Sequence, residues 1–335
     1  MDVAERQSFE RQVVGFGAAL GEGDAASFTE DAARGAKRGE PGAAKRLSVA
    51  LARVAFVTPE AVTPIYDAFA RGWLDAHSMA GSSTDHSALA LLREEAELPA
   101  PFWDAFWGIV RDAGSSISAG EITARVAALA GDLPPAFGER AERAARAHPG
   151  AAGAAERPVP EPLRLAVLAE QPAGSLGNAF HRLIVDNNFD LEVLDRQAIG
   201  LGFLPPALRY LNTRILQMHD IWHLVGGYAT TALHEIAISS FQLAQFGHNY
   251  SAMFLATVTT STRLHFPAGL PAMLQVVAEA WRHGRASPPF MAIDWESEWH
   301  RPIAEIRARH GIVPFAGSLP ADLIEQSRAA RAAAS

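Results

Sequence analysis

The chain is predicted to be all-α, a multi-helix, bundle-like array, on three observations. Alanine, leucine, glutamate and arginine dominate the composition. Long stretches carry apolar residues at three- and four-residue spacing rather than in alternation. Prolines and glycines fall where helices would begin and end.

Taken in order, residues 21–46 are rich in Gly, Ala and charge, so the segment 1–45 reads as an N-terminal arm or a loosely docked helix. A helical region, 46–145, follows, with helices expected over 46–56, 59–76, 101–112, 118–130 and 134–147. Thr58-Pro59-Glu60 and Leu133-Pro134-Pro135 set proline at two of these starts, where its missing N–H costs nothing. Phe56, Tyr66, Phe69, Trp73, Phe102, Trp103, Phe106 and Trp107 give the region enough aromatic surface for its own core or for packing on the second half. Residues 146–162, RAHPGAAGAAERPVPEP, read as a linker because proline and glycine interrupt runs with little to bury. Residues 163–335 form a C-terminal helical domain with helices expected at 177–187, 206–225, 231–246, 249–263, 270–283 and 298–309, the last closed by Gly311. No repeat of fixed period occurs.

Composition excludes several functions. At 335 residues, 49% hydrophobic and 20% charged, the chain has ample material for a core. A net charge of -8, with no lysine after residue 45, offers no basic field for phosphates, and no nucleic-acid partner is expected. The absence of cysteine removes disulfides, thiolate metal sites and cysteine nucleophiles, leaving imidazole and carboxylate as the strong ligands. The start, MDVAERQSFERQVV, does not resemble a secretion signal, and an intracellular protein is expected. No stretch has the roughly 18 apolar residues of a membrane span, so membrane contact is expected to be peripheral. Gly15-Phe16-Gly17 lacks the third glycine and the βαβ context of a dinucleotide loop, and no phosphate-cradling loop is present.

The most informative stretch is His219-Asp220-Ile221-Trp222-His223, followed after eleven residues by Glu235. On a helix, Asp220 and His223 lie about 100° and 40° round from His219, so all three can face one ion. A straight helix would carry Glu235 roughly 18 Å past His223, so the chain must turn between them. Gly226-Gly227 supplies the break and Thr230 or Thr231 the cap of a new helix. Burying two imidazoles and two carboxylates without a cation is costly, and no Lys or Arg lies between 215 and 262 to pair them. A divalent metal held by His219, Asp220, His223 and Glu235 is therefore expected, with one position left for water or substrate. Zinc suits the set, and so do iron and manganese. The order His-Asp-x-x-His is not the His-Glu-x-x-His of zinc proteases.

The pattern His-Asp-x-x-His-x(11)-Glu resembles the signature of the ubiquinone (coenzyme Q) biosynthesis protein four family. Gly174-Ser175-Leu176-Gly177 resembles that domain's opening, and Asp294-Trp295-Glu296 through Trp299, Pro302 and Arg307 resembles its closing helix; the likeness runs from about residue 160 to 315. His234 departs from the small residue expected before the glutamate, and could crowd the site or add a ligand. Asp294, Glu296 and Trp299 are expected to be structural, the acids capping the last helix.

The resemblance implies a helical domain enclosing a prenylated aromatic or isoprenoid lipid, and oxidative loss of the ring carboxylate of a ubiquinone precursor. It also implies partnership with other ubiquinone biosynthesis enzymes and a cytoplasmic protein peripherally associated with the inner membrane; a homo-oligomer is compatible with it. Arg263 matches an arginine of the family and could hold an anionic headgroup or sit in a surface ion pair; His248 and Tyr250 could line the same pocket. The small face Ala237, Ser239, Ser240 and Ala244 suits either a narrow lipid channel or tight helix packing. The competing reading is a non-catalytic lipid-binding scaffold that organises the other enzymes.

Overall fold

The computed structural model describes residues 2–21, 23–80, 85–113, 119–192, 196–197 and 200–334. Among them it is all-α: the one pairing of extended backbone is an isolated antiparallel bridge between Ser175 and Pro302. Helices stand at Ala43–Phe56, Val62–Leu74, Ala100–Ala113, Ala119–Ala128 and Pro135–Ala147 in the N-terminal half. The C-terminal half adds Leu176–Asn187, Pro206–Gly226, Ala232–Phe246, Asn249–His265, Leu270–Ala286, Ile303–His310 and Leu323–Ala334.

Two expected boundaries move for reasons that proline supplies. Pro59–Ala61 is a separate 3-10 turn before Val62–Leu74. Pro302 lacks the N–H to continue a helix, so Trp295–Glu298 forms one 3-10 turn and the α-helix begins at Ile303. The acids expected to cap this last helix act elsewhere: Glu296 pairs with Arg214 through both oxygens, and Asp294 precedes the 3-10 turn without a side-chain capping bond, while Glu298 is buried among Arg301, Arg309 and His310. Gly311, at φ 67°, does close the helix, its N–H donating to Arg307 O.

The segment expected as an arm contains the helices Val3–Val14, Phe16–Leu20 and Ala25–Lys37, two of them capped by Asp2 and Asp24. Phe9, Val13 and Phe16 are fully buried. Phe106 gathers Phe9, Phe56, Phe102, Trp103 and Trp107 around it at centroid distances of 4.9–6.3 Å, mostly edge to face, as ring quadrupoles favour.

That aromatic cluster is continuous with the core of the C-terminal half. Trp281 packs at a tilt against Tyr66, ring centroids 5.0 Å apart, and donates its indole N–H to Asp67 (2.8 Å), while Trp73 donates to Gln275 (2.9 Å). Each tryptophan buries its rings and finds an acceptor across the two halves. Residues 146–162 lie against the C-terminal helices: Ala151 and Ala154 are buried, and Arg157 donates to Tyr210 Oη and Met291 O.

The small face of Ala232–Phe246 packs against Leu270–Ala286. Ser240 donates to Val277 O at 2.8 Å, and a Cβ on Gly284 would lie 2.7 Å from Ala244 Cβ and 2.9 Å from Phe241 O. Of the two uses open to that face, the structure shows tight packing.

Candidate metal centre

The site is built on two successive helices, Pro206–Gly226 and Ala232–Phe246, and the turn between them. Pro206–Gly226 starts at a proline and ends where Gly227 takes φ 80°. A side chain at Gly227 is excluded twice, by that angle and by Pro314 Cβ, which an added Cβ would approach to 2.8 Å. His223 and His219, one turn apart, project from the same face, with ring centroids 4.7 Å apart. The chain reverses through Tyr228, and Ala232–Phe246 brings Glu235 back in its first turn. Thr231 is the N-cap residue, but its hydroxyl donates to Ala321 O; the free N–H of Ala232 instead finds Glu325 of the last helix at 2.9 Å.

His219 Nε2 and His223 Nε2 lie 3.1 Å apart, and each lies 3.3 Å from a different oxygen of Glu235. Ligand bonds of about 2.0–2.1 Å give edges of about 3.0 Å in an octahedron and about 3.4 Å in a tetrahedron. The imidazole pair and each imidazole–carboxylate contact fall in or near that interval, though the two carboxylate contacts use different oxygens, and one ligand atom from each of the three residues lies within 4.8 Å of the others. Asp220 stands outside this trio. One residue round the helix from His219 it points about 100° away, and its influence is through charge.

Burial disfavours a charged His219, but the hydrogen bond and charge of Glu235 and the charge of Asp220 outweigh it, raising its pKa. Burial would raise Glu235 as well, yet the hydrogen bonds and charges of the two histidines hold its carboxyl far below the usual range. The Glu235 side chain is 40% exposed whereas His223 is 2% exposed, so the trio opens on Glu235's side. An open side is the mark of sites that admit water or substrate; closed four-ligand sites are usually structural.

The turn is fixed by groups that pattern alone does not reveal. Tyr228 O accepts from His223 Nδ1 at 3.2 Å, which leaves Nε2 with its lone pair toward the trio. The Tyr228 ring stacks on Phe315 at 4.6 Å and its hydroxyl donates to His283. Arg307 donates to Leu224 O and Val225 O, both at 2.9 Å, closing the end of the ligand helix. His234 neither crowds the trio nor joins it; its Nδ1 accepts from Ala229 N–H at 2.8 Å and its ring packs against Phe315.

The other expected residues are dispersed. His248 is buried, bonded to Ser251 and Asn212, and burial together with the positive field of His219 pushes its pKa down to about 3. Tyr250 is raised by burial, with a hydrogen bond to Thr123 acting against the rise and the Glu235 charge adding to it. Arg263 pairs with Glu5 at 2.9 Å. The glycine-led opening and the closing segment meet each other: Leu176 N donates to Arg301 O and Gly177 N to Trp299 O, and Phe180 stacks on Trp299. A cavity of about 470 Å³ lies along the N-terminal part of the ligand helix, bounded by Val159, Arg196, Leu201, Phe203, Arg209 and Thr213, and includes none of the trio.

Residues 155–316, which carry the trio and both flanking motifs, match the family model Coenzyme Q (ubiquinone) biosynthesis protein Coq4. This segment belongs to the Coq4 family. Relatives described as ubiquinone biosynthesis protein COQ4 homolog, mitochondrial, include that of Drosophila ananassae, 29% identical over 147 residues, which are 44% of this chain and 53% of the relative. That of Rattus norvegicus is 27% identical over 152 residues, 45% of this chain and 56% of the relative. The chain spans about half the length of the curated relatives it matches. A solved structure from Nostoc punctiforme, named for ubiquinone biosynthesis, shares 25% identity, covering 63% of this chain and 96% of that one with a TM-score of 0.47. The matched segment carries the trio; the helices before residue 155 pack on it from outside the match.

Proposed function

We propose that the chain acts in ubiquinone biosynthesis, handling a prenylated aromatic precursor at a divalent metal held by His219, His223 and Glu235 and removing the ring carboxylate oxidatively. The observation that carries this reading is the trio itself: two imidazoles and a carboxylate brought together within 4.8 Å, open on one side, within the segment that matches the Coq4 model. Zinc is the first choice for two imidazoles and a carboxylate, with iron or manganese sharing the same donors. Bound there, such an ion would supply Lewis acidity toward a ring carboxylate or phenolate.

The chain's own groups supply orientation and charge. Glu235 presents one oxygen to each histidine, so it can bind through one and turn the other toward an incoming acidic group. Asp220 holds negative charge beside His219. Tyr250 lies within reach of the Glu235 charge and is a candidate contact for the ring, together with His248 behind it. Arg263 would have to leave Glu5 to hold an anionic headgroup. Loss of the ring carboxylate as CO2 with oxygen entering at that carbon is a two-electron oxidation, so the reading requires dioxygen or another two-electron oxidant supplied from outside the chain.

Among the described residues no helix is long and apolar enough to cross a membrane. Phe203 is 95% exposed and shares its cavity with the exposed Val159, which supports peripheral contact with the inner membrane, where the lipid precursor and the other biosynthetic enzymes reside.

Glu235→Ala tests the reading. Loss of metal and of ubiquinone output in a variant that keeps its fold supports it. A folded, metal-free variant with full output refutes the catalytic role and leaves a lipid-presenting scaffold.

A further inference from the structure

We propose that Gln242 is a positioning residue for the metal, the last member of a one-way hydrogen-bond chain that fixes the tautomer of His219. The inference rests on the metal reading for its consequence, but its premise is the arrangement of buried polar groups behind the site.

A histidine that ligates through Nε2 must carry its proton on Nδ1, and that N–H needs an acceptor. His223 has one in Tyr228 O. The neighbour of His219 Nδ1 is the side-chain amide of Gln242 at 2.7 Å, and an amide can present either a donor or an acceptor. The structure sets Nε2 against the ring and Oε1 toward Ser251 Oγ at 3.5 Å. The two orientations fill the same volume, so the hydrogen-bond network must choose between them.

The network runs back to a fixed point. Asn212 Nδ2 donates to Leu208 O at 2.7 Å, which turns Asn212 Oδ1 toward His248 Nε2 at 3.1 Å. His248 therefore donates from Nε2 and, buried and neutral, has a lone pair at Nδ1. Ser251 Oγ lies 3.0 Å from that lone pair and can satisfy it only by donating. With its single proton spent, Ser251 can only accept from Gln242. Gln242 must then send Nε2–H toward Ser251 and Oε1 toward His219. The opposite amide orientation leaves one oxygen–oxygen or oxygen–nitrogen contact without a proton, inside a site where Gln242, Ser251 and His248 are all buried. From the Leu208 carbonyl outward every group has one role available, and the last step hands His219 Nδ1–H an acceptor and aims its Nε2 lone pair at Glu235 and His223.

The experiment is a zinc titration against a competing chelator on the full chain, paired with long-range ¹H–¹⁵N NMR of the histidine rings, which reports which nitrogen is protonated. Gln242→Met keeps the length and loses the acceptor; Gln242→Glu keeps an acceptor. The expected result is zinc binding weakened about 10–100-fold by Gln242→Met and by no more than a few-fold by Gln242→Glu, with His219 in the Nδ1–H form in the wild type. Equal zinc affinity in wild type and Gln242→Met overturns the proposal while leaving the metal centre intact. If wild type binds no zinc, the metal reading fails, and the NMR still decides the chain: Nδ1–H on His219 upholds it and an Nε2–H tautomer overturns it. Should Gln242→Met fail to fold, Ser251→Ala takes its place. A loss of at least threefold in zinc affinity supports the chain, and unchanged affinity overturns it.

Discussion

Arg307→Met is expected to loosen the metal centre without touching it. The Arg307 guanidinium donates to the carbonyls of Leu224 and Val225, two of the acceptors that the end of Pro206–Gly226 leaves unpaired, at 2.9 Å each. Hydrogen bonds to a charged donor are worth about 1.5–3 kcal/mol each when removed from burial. Arg307 is partly solvated, and water can replace some of what is lost, so the pair together is set at about 1–3 kcal/mol. Methionine keeps the length and the apolar stem while removing both donors. The cost falls on the last turn, whose His223 carbonyl also accepts from Gly227 and Tyr228 N–H and whose ring completes the trio. Urea unfolding should show a lower midpoint with unchanged slope, and zinc affinity should fall several-fold as His223 must be reordered on binding. If both the midpoint and the affinity match wild type, the reasoning that Arg307 holds this helix end is wrong.

Stability should fall as pH drops from about 6.5 toward 3, because His248, buried and beside His219, has its folded pKa pushed down to about 3 while the unfolded chain takes up the proton at the ordinary histidine value. The contribution is complete above that value and is lost at about 1.4 kcal/mol per pH unit below it; His248→Asn should flatten this part of the stability–pH curve, and an unchanged slope would contradict the assignment. Gly284→Ala should lower the melting temperature, since overpacking against Ala244 and the Phe241 backbone costs about 1–3 kcal/mol against a helix-propensity gain of about 1 kcal/mol; a higher melting temperature would show that the two helices can part. Chelation should lower the melting temperature of wild type, about 2.7 kcal/mol being removed where free metal had stood at 100 times its Kd, and should leave Glu235→Gln unmoved; an equal drop in both would place the metal elsewhere. Phe203→Asp should reduce co-sedimentation with anionic liposomes at low salt, and equal sedimentation of the two proteins would remove Phe203 from membrane contact.

The sequence showed what depends on short-range periodicity and missed what depends on long-range acceptors. The ligand helices, their glycine break and the return of Glu235 follow from the 3.6-residue repeat and from the reach of a helix, and they stand within a residue or two of expectation. Asp220 illustrates the limit of that logic, because adjacency in sequence puts a side chain about 100° off the facing direction. The N-terminal segment was hidden for a different reason. Its helix Ala25–Lys37 buries Ala32, Ala33 and Gly35, residues too small to raise an apolar stripe, yet their smallness is what lets the helix lie close. Gln242 and Glu325 have no signature at all, and Arg307 was visible only as part of the closing motif and not as the holder of the ligand helix, since each works through a backbone group or ring more than twenty residues away or on another helix.

These distant contacts explain why the Coq4 segment does not stand alone here. The trio is two turns of helix in sequence terms, but its geometry depends on Glu325 beyond the family match at one end, and on a core shared with the N-terminal helices at the other. Arg263, the residue expected to meet an anionic headgroup, is held by Glu5 from the first helix, and Ser261 on the same helix donates to Val110 O. The N-terminal half therefore covers the helix that follows the site and occupies one of its cations. If Arg263 serves the substrate, Glu5→Gln should free it and tighten binding of an anionic lipid analogue; if the pair is purely structural, the same change should lower stability and leave lipid binding where it was.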